Sequence, residues 1–274
     1  GAFVSFYTAY HTENLALSLL AAFGIGIFAA LIYAILTVSF MANQNVTGLT
    51  LSIFGTGFAK FFGESMIGKA GGSPKLSDKF LGSVAEKPLP ILGEIPVLGK
   101  LLFSHNPLVY ISILIAIICT IYMLKTRIGL NMRAVGENAA AADASGINIY
   151  AVKYIHICLG GGVCALGGAY LALINGGGIW NNSNVVNGQG WISVALVIFA
   201  AWNPAKAIFG SLVFGAFSVL QFYVPKNIIE LPNAFYVMLP FLITTLILIF
   251  TSMKKTKKGV QPAGCGINYF REER

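Results

Sequence analysis

Long apolar runs separated by short polar breaks dominate this chain. A helix needs about 20 mostly apolar residues to cross the hydrocarbon layer of a bilayer. Runs of this kind occupy residues 15–40, 108–124, 152–174, 207–224 and 234–252. Two more are short: 46–62, interrupted by Gly48, Gly55 and Gly57, and 190–202, which ends at Asn203-Pro204. A 13-residue run is too short to span upright, so neighbouring protein must cover its ends. Short or glycine-broken segments in both halves of a chain point to the central site of a transporter. Tilted or loosely delimited helices give the same pattern, and the sequence leaves both readings open. The chain opens without Met in an apolar run, Gly1 to Tyr10. That run reads as the end of a helix, with about one span expected before it. The expected fold is all-α: a polytopic membrane protein of about seven or eight spans over residues 1–252, then a basic tail, 253–274.

Between two of the apolar runs lies a polar-ended stretch rich in alanine, Gly136-Glu137-Asn138-Ala139-Ala140-Ala141-Ala142-Asp143-Ala144-Ser145-Gly146. Alanine is the best helix former, and Asn138 can cap an N-terminus by accepting from orphan backbone N–H groups. Gly146 can adopt the left-handed conformation that ends a helix. The stretch reads as a rigid, water-exposed peg of about two turns, within a loop at 126–151. The sequence gives it nothing to grip within its own chain, so it is expected to dock on something else. Small residues also recur at every fourth position as Gly160, Cys164 and Gly168, and as Ala207, Ser211 and Gly215. Such stripes let helix backbones approach closely in lipid.

Composition agrees with a membrane location. Hydrophobic residues make up 56% of the chain and charged ones 10%, where soluble domains carry about 25% charge. The net charge of +8 raises a nucleic-acid reading. Lys and Arg gather in loops and tail rather than on an aromatic-studded face, so they orient the chain in the bilayer instead. Arg127 and Arg133 flank the peg, and Lys254, Lys255, Lys257, Lys258, Arg271 and Arg274 lie in the tail. Four spans between the two regions would put both in the cytoplasm. Loops 63–106 and 175–189 would then lie outside, although the first carries Lys69, Lys75, Lys79, Lys87 and Lys100. Its prolines and glycines suggest a folded cap rather than a free linker.

The missing chemistry narrows the function. No Asp or Glu falls within the expected spans, whereas proton- and sodium-driven carriers usually need an ionisable or coordinating site at depth. Gly63 to Ala70 matches GxxxxGK, but Ala70 stands where a phosphate loop needs Ser or Thr. Cys119, Cys158, Cys164 and Cys265 show no ligand spacing and read as packing residues. His156 reads as a packing or interfacial residue. No nucleophile with a base and no metal-ligand cluster is visible, so neither catalysis nor a cofactor is expected. A helical membrane body with a peg and no motor suggests that another protein supplies the force.

A resemblance adds to this reading. Arg133-Ala134-Val135-Gly136-Glu137-Asn138, followed by Ala141-Ala142-Asp143-Ala144-Ser145-Gly146-Ile147, resembles the cytoplasmic loop of ABC-importer permeases for simple sugars, nucleosides and branched-chain amino acids. The general importer signature is only partly present, since Ala140 replaces its acidic residue and its later Leu-Pro is missing. Ala42-Asn43-Gln44 through Gly57, Gly190-Trp191-Ile192 to Pro204, and the ending Tyr269-Phe270-Arg271 resemble the nucleoside and simple-sugar permeases. The resemblance implies an ABC importer permease fold with a coupling helix that sits in a groove of an ATP-binding subunit. Arg133, Gly136, Glu137, Asn138, Ala141, Ala142, Asp143 and Gly146 would form that element. It also implies a second permease subunit, identical or related, and an extracytoplasmic substrate-binding protein. The location would be a bacterial-type plasma membrane, with the C-terminus in the cytoplasm. Gln44, Asn45, Thr47, Thr50, Trp191 and Asn203 stand beside the two short spans. They could line a pathway for a ribose or base, with Trp stacking on a flat ring, or cap helix ends and anchor at the interface. A stand-alone carrier of small polar solutes is the alternative.

Overall fold

The computed structural model describes residues 1–86, 104–181, 185–186, 188–223 and 261–270, with positions 238, 242, 245–246 and 249. Among these, every regular element is a helix, and an isolated antiparallel bridge joins Lys75 to Ile179. The chain divides into two units: Gly1–Ser112 with Ala134–Val186 and Gly266–Arg274, and Ile113–Arg133 with Asn187–Cys265. Among the described residues, three helices are long and apolar enough to cross a membrane, Leu15–Ser39, Pro107–Lys125 and Ile149–Asn175. The run at 234–252 lies outside the described residues apart from isolated positions.

In the first unit, α1 (Ala2–Thr12) turns at Glu13 into α2 (Leu15–Ala34), whose last turn, Ile35–Ser39, widens to π geometry. Asn14 starts α2 by accepting from the Ala16 and Leu17 amides. The fully buried Ser18 hydroxyl donates to the Ser5 carbonyl at 2.9 Å and so ties α1 to α2 without leaving a polar group unsatisfied. Next come α3 (Gln44–Ala70) and the short α4 (Asp78–Val84). Helices α5 (Pro107–Lys125) and α6 (Arg127–Glu137) fall largely in the second unit; the first resumes with α7 (Ala139–Ala144) and α8 (Ile149–Tyr170), which continues in π geometry over Leu171–Asn175.

The most extensive packing is between α2 and α8. Along α2, Ser18, Ala22, Gly26, Ala30 and Ala34 repeat every fourth residue. A side-chain carbon added at Gly26 would come within 2.5 Å of the Ala165 Cβ and the Gly161 carbonyl, and one at Gly161 would collide with the Ala30 Cβ. Gly160, by contrast, has nothing within 4 Å of that position, and Cys164 is exposed. The stripe that packs on α2 is therefore Gly161 and Ala165, one residue along from the sequence expectation, while a carbon added at Gly168 of the expected stripe would lie 3.0 Å from the Ala2 amide nitrogen of α1. At the far end of this pair, Phe6, Leu76, Phe80, Ala169, Leu173 and Trp180 close a buried core. Strand-like pairing of the loops after α3 and α8 joins it, with the Leu76 amide donating to Gly178 and the Trp180 amide to Pro74.

The segment expected as a short, glycine-broken span is one continuous helix of 27 residues. Glycine in a helix costs about 1 kcal/mol relative to alanine but does not remove a backbone hydrogen bond. Asn43 caps this helix through the Asn45 and Val46 amides, and left-handed Gly71 ends it. Glu64, expected in the loop that begins at residue 63, consequently falls inside this helix, about two turns before its end. Residues 63–70, expected to begin a loop, are helical, so the GxxxxGK segment lacks the strand–loop–helix frame of a phosphate loop. Part of the expected cap is α4; residues 87–103 lie outside the described residues.

In the second unit, α9 (Gln189–Phe199) turns through Ala200–Trp202 into α10 (Pro204–Tyr223). The Phe199 ring lies over Gly210 and meets Phe214 edge-on at 5.8 Å. Gly215 of the expected stripe faces open space. Because the α2–α8 seam has no room for a methyl group, Gly161→Ala is expected to destabilise by about 1–3 kcal/mol, whereas Gly160→Ala should be neutral or stabilising. Thermal unfolding of the two variants in detergent, side by side, checks this; equal midpoints would contradict the packing.

Candidate functional site

The alanine-rich stretch folds as a helix–break–helix with a sequence-encoded stop at each end. Helix α6 ends at Glu137, and Asn138 leaves helical geometry with φ −150° and ψ 97°. Its side chain accepts from the Ala141 amide at 3.0 Å, satisfying one orphan donor of α7. At the other end the Ile147 amide donates to the Ala142 carbonyl and the Gly146 amide to Asp143. Gly146 itself is left-handed at φ +82°. This pattern is a Schellman stop, which needs a residue without a Cβ penalty at that place. Two residues on, Asn148 caps α8 through the Ala151 amide. Helix α7 is thus fixed in a tight frame and opens directly into one of the two closely packed helices.

One face of α7 is held by the chain itself. Val135, Ala142 and Ile149 are buried together, with Ala139, Ile147, Val152 and Tyr269 packed against them. The Tyr269 hydroxyl donates to Asp143 Oδ2 at 2.9 Å. This corrects the expectation that the peg grips nothing in its own chain. Of the expected coupling residues, Ala142 is buried and Asp143 is turned toward Tyr269. Glu137, Asn138, Ala141 and Gly146 are exposed, together with Ala144 and Ser145. Arg133, also exposed, lies a turn back on α6. The outward face is small and nearly flat, bordered by one carboxylate.

The residues beside the short runs fall into both units. Gln44 opens α3, and its amide donates to Asn268 Oδ1 at 3.0 Å. Asn45 is exposed. Thr47 is buried and donates to the Asn43 carbonyl, while exposed Thr50 donates to Val46. Trp191 is 64% exposed on the first turn of α9. Asn203 Oδ1 accepts from the Ala205 amide at the start of α10, which is helix capping. His156 bonds through Nδ1 with the Val152 carbonyl of its own helix. The cysteines are free; Cys119 and Cys158 are half-buried, Cys164 and Cys265 exposed.

Two residues of the site were not picked out from sequence for what they do. Asn268 donates to the Met41 carbonyl at 2.6 Å and to Ala42 at 3.3 Å, besides accepting from Gln44. Tyr269 was noticed only as part of a family-like ending. Each binds a partner more than a hundred residues away, and no local pattern reports such a contact.

Residues 1–260 match the family described as branched-chain amino acid transport system / permease component. The chain belongs to this permease family. It is 32% identical over 262 residues to the nucleoside ABC transporter permease protein NupC of Lactococcus lactis, covering 94% of this chain and 78% of that protein. It is 35% identical over 239 residues to the guanosine ABC transporter permease protein NupQ of Bacillus subtilis, covering 85% and 72%. The putative glucose ABC transporter permease protein TsgC13 of Haloferax volcanii is 31% identical over 204 residues, 73% of this chain and 59% of the relative. No solved structure matches the chain. It is accordingly a membrane-embedded permease subunit of an ATP-binding-cassette transporter rather than a stand-alone carrier.

Within the permease, Asn138→Ala should cost about 1 kcal/mol of α7 stability and Asn138→Asp should retain most of it. Hydrogen exchange of the amides at 141–145 is the measurement: about fivefold faster in the alanine variant, near wild type in the aspartate one. Unchanged exchange in both would show that the cap does not hold the helix.

Proposed function

We propose that this permease forms half of the translocation pathway of a nucleoside importer whose ATP hydrolysis takes place in a separate subunit. The observation that carries the proposal is α7: a helix stopped at both ends, seated on its own chain by one face, and exposed on the other. The three long apolar helices contain no Asp or Glu, which supports an external source of energy over an ion gradient. The exposed face, Glu137, Ala141, Ala144, Ser145 and Gly146, docks in a groove of the ATP-binding subunit, with Arg133 beside it. That end of the permease faces the cytoplasm, following the basic residues around it. The paired loops at Pro74–Leu76 and Gly178–Trp180 lie on the outer side, where an extracytoplasmic substrate-binding protein delivers solute. A second permease subunit, identical or related, completes the pathway, and the C-terminus is cytoplasmic.

A nucleoside is favoured over a simple sugar because the nucleoside and guanosine permeases match more of this chain than the putative glucose permease does. Exposed Asn45 in the first unit and exposed Trp191 in the second are each free to meet a solute within their own unit, Trp191 by stacking on a base, while the Thr50 hydroxyl already donates to Val46. Gln44, Thr47 and Asn203 already serve backbone or side-chain partners and contribute mainly by shaping the helix ends.

The test is reconstitution of the co-purified complex in proteoliposomes, with uptake of labelled guanosine measured against ATP hydrolysed. ATP-dependent uptake that excess nucleoside suppresses and excess glucose does not is expected. In the same assay Glu137→Ala should lower uptake per ATP about tenfold, the scale of one lost charge-assisted contact, and Gly146→Ala should lower it too by straining the left-handed stop of α7 at φ +82°. Uptake without any ATP-binding subunit, or normal coupling in both variants, would defeat the proposal.

A further inference from the structure

The segment 266–270 belongs to the first unit and places two consecutive side chains on two different elements. Tyr269 holds α7 through Asp143 and through the apolar packing of its ring. Asn268 clamps the junction between α2 and α3: its Nδ2 donates to Met41 and Ala42, and its Oδ1 accepts from Gln44. Met41 is left-handed at φ +53°, an uncommon and strained conformation for a residue with a long side chain. The junction is further supported by the Tyr33 hydroxyl, which donates to the Gln44 carbonyl at 3.3 Å.

The two helices that meet at this junction differ in how firmly they are held. The end of α2 is fixed to α8 by a hydrogen bond between the Ser39 and Tyr154 hydroxyls, and its length by the Gly26–Gly161 contact. Along α3, Val46, Leu49, Ile53, Phe54 and Phe61 are exposed, and Gly55 and Gly57 have no neighbour within 4 Å of an added carbon. Of the two, α3 is the one that can swing.

We propose that Asn268 and Tyr269 are positioning residues that pass displacement of α7 to the 40–43 junction and so to α3. The proposal rests on reading α7 as the part that docks on the ATP-binding subunit. When that subunit moves α7, Tyr269 follows through Asp143, and Asn268, joined to it by one peptide unit, pulls on the carbonyls of Met41 and Ala42. The strained turn there then rotates the start of α3. Tyr269→Phe keeps the ring and its packing, and removes the hydroxyl alone. Asp143→Asn keeps an acceptor for that hydroxyl, whereas Asp143→Ala removes it.

The test uses the reconstituted complex, with guanosine uptake per ATP as one readout. The other is the distance between spin labels on exposed α3 and α8 positions, Phe58→Cys and Leu159→Cys in a background without the native cysteines, before and after ATP. Tyr269→Phe, Asn268→Ala and Asp143→Ala should each co-purify with the ATP-binding subunit, lose about tenfold in uptake per ATP, and lose the ATP-driven change in label distance. Asp143→Asn should keep both. The double variant Asp143→Ala with Tyr269→Phe should be no worse than either alone, because both break one link. Wild-type coupling in Tyr269→Phe, failure of that variant to co-purify, or additive losses in the double variant would overturn the link. A wild-type complex that shows no ATP-dependent uptake would instead overturn the function proposed for α7, and the two failures are therefore distinguishable.

Discussion

The close approach of α2 and α8 governs the rest of the first unit. In a bilayer, apolar side chains gain little by leaving lipid for one another, so association depends on packing and hydrogen bonds. Gly26 and Gly161 let the two backbones come so near that a single methyl group would not fit. That proximity fixes where the other elements stand. Helix α7 joins α8 through a four-residue turn, Ser145 to Asn148, and the α2–α3 junction lies beside the same end of α8, where Ser39 meets Tyr154. A stiff pair of rods thus extends from the α7 end to the aromatic core around Trp180.

Against this rigid pair, the remaining elements separate by how much they are held. Helix α7 is held on one face and exposed on the other, which suits a part that receives force and hands it on. Helix α3 is exposed along most of its length. The permease therefore combines a firm frame with one loosely supported helix, and a short C-terminal segment touches both α7 and the place where that helix begins. Buried hydroxyls are satisfied in both parts: Ser18 and Thr37 of α2 and Thr47 of α3 each donate to a backbone carbonyl, where an unpaired hydroxyl would be costly.

How much of this the amino-acid order discloses depends on the range of the interaction. The α7 element was legible because its determinants are neighbours: Asn138, the alanines and Gly146 act within a few residues. The long apolar helices were legible because length and composition suffice. The packing stripe on α8 was misplaced by one position, for a plain reason. Gly160, Gly161 and Gly162 are consecutive, so several four-residue registers offer small residues, and only the partner helix selects among them. Continuity of α3 is not legible from its glycines, because the Asn43 cap and the Gly71 stop delimit the helix and the glycines between them do not. The contacts of Asn268 and Tyr269 join positions 126 and 226–227 residues apart, and nothing local encodes them.

The pairing of the loops after α3 and α8 has a mechanical corollary. Backbone hydrogen bonds from Leu76 to Gly178 and from Trp180 to Pro74 pin the distal tip of α3 beside that of α8. A rod of 27 residues is about 40 Å long, so with its tip tethered it behaves as a pendulum. In the swing proposed for α3, a displacement of about 2 Å at its Asn268-held foot tilts it by only about 3° along such a length, and the shift is widest at the foot and vanishes at the tethered tip.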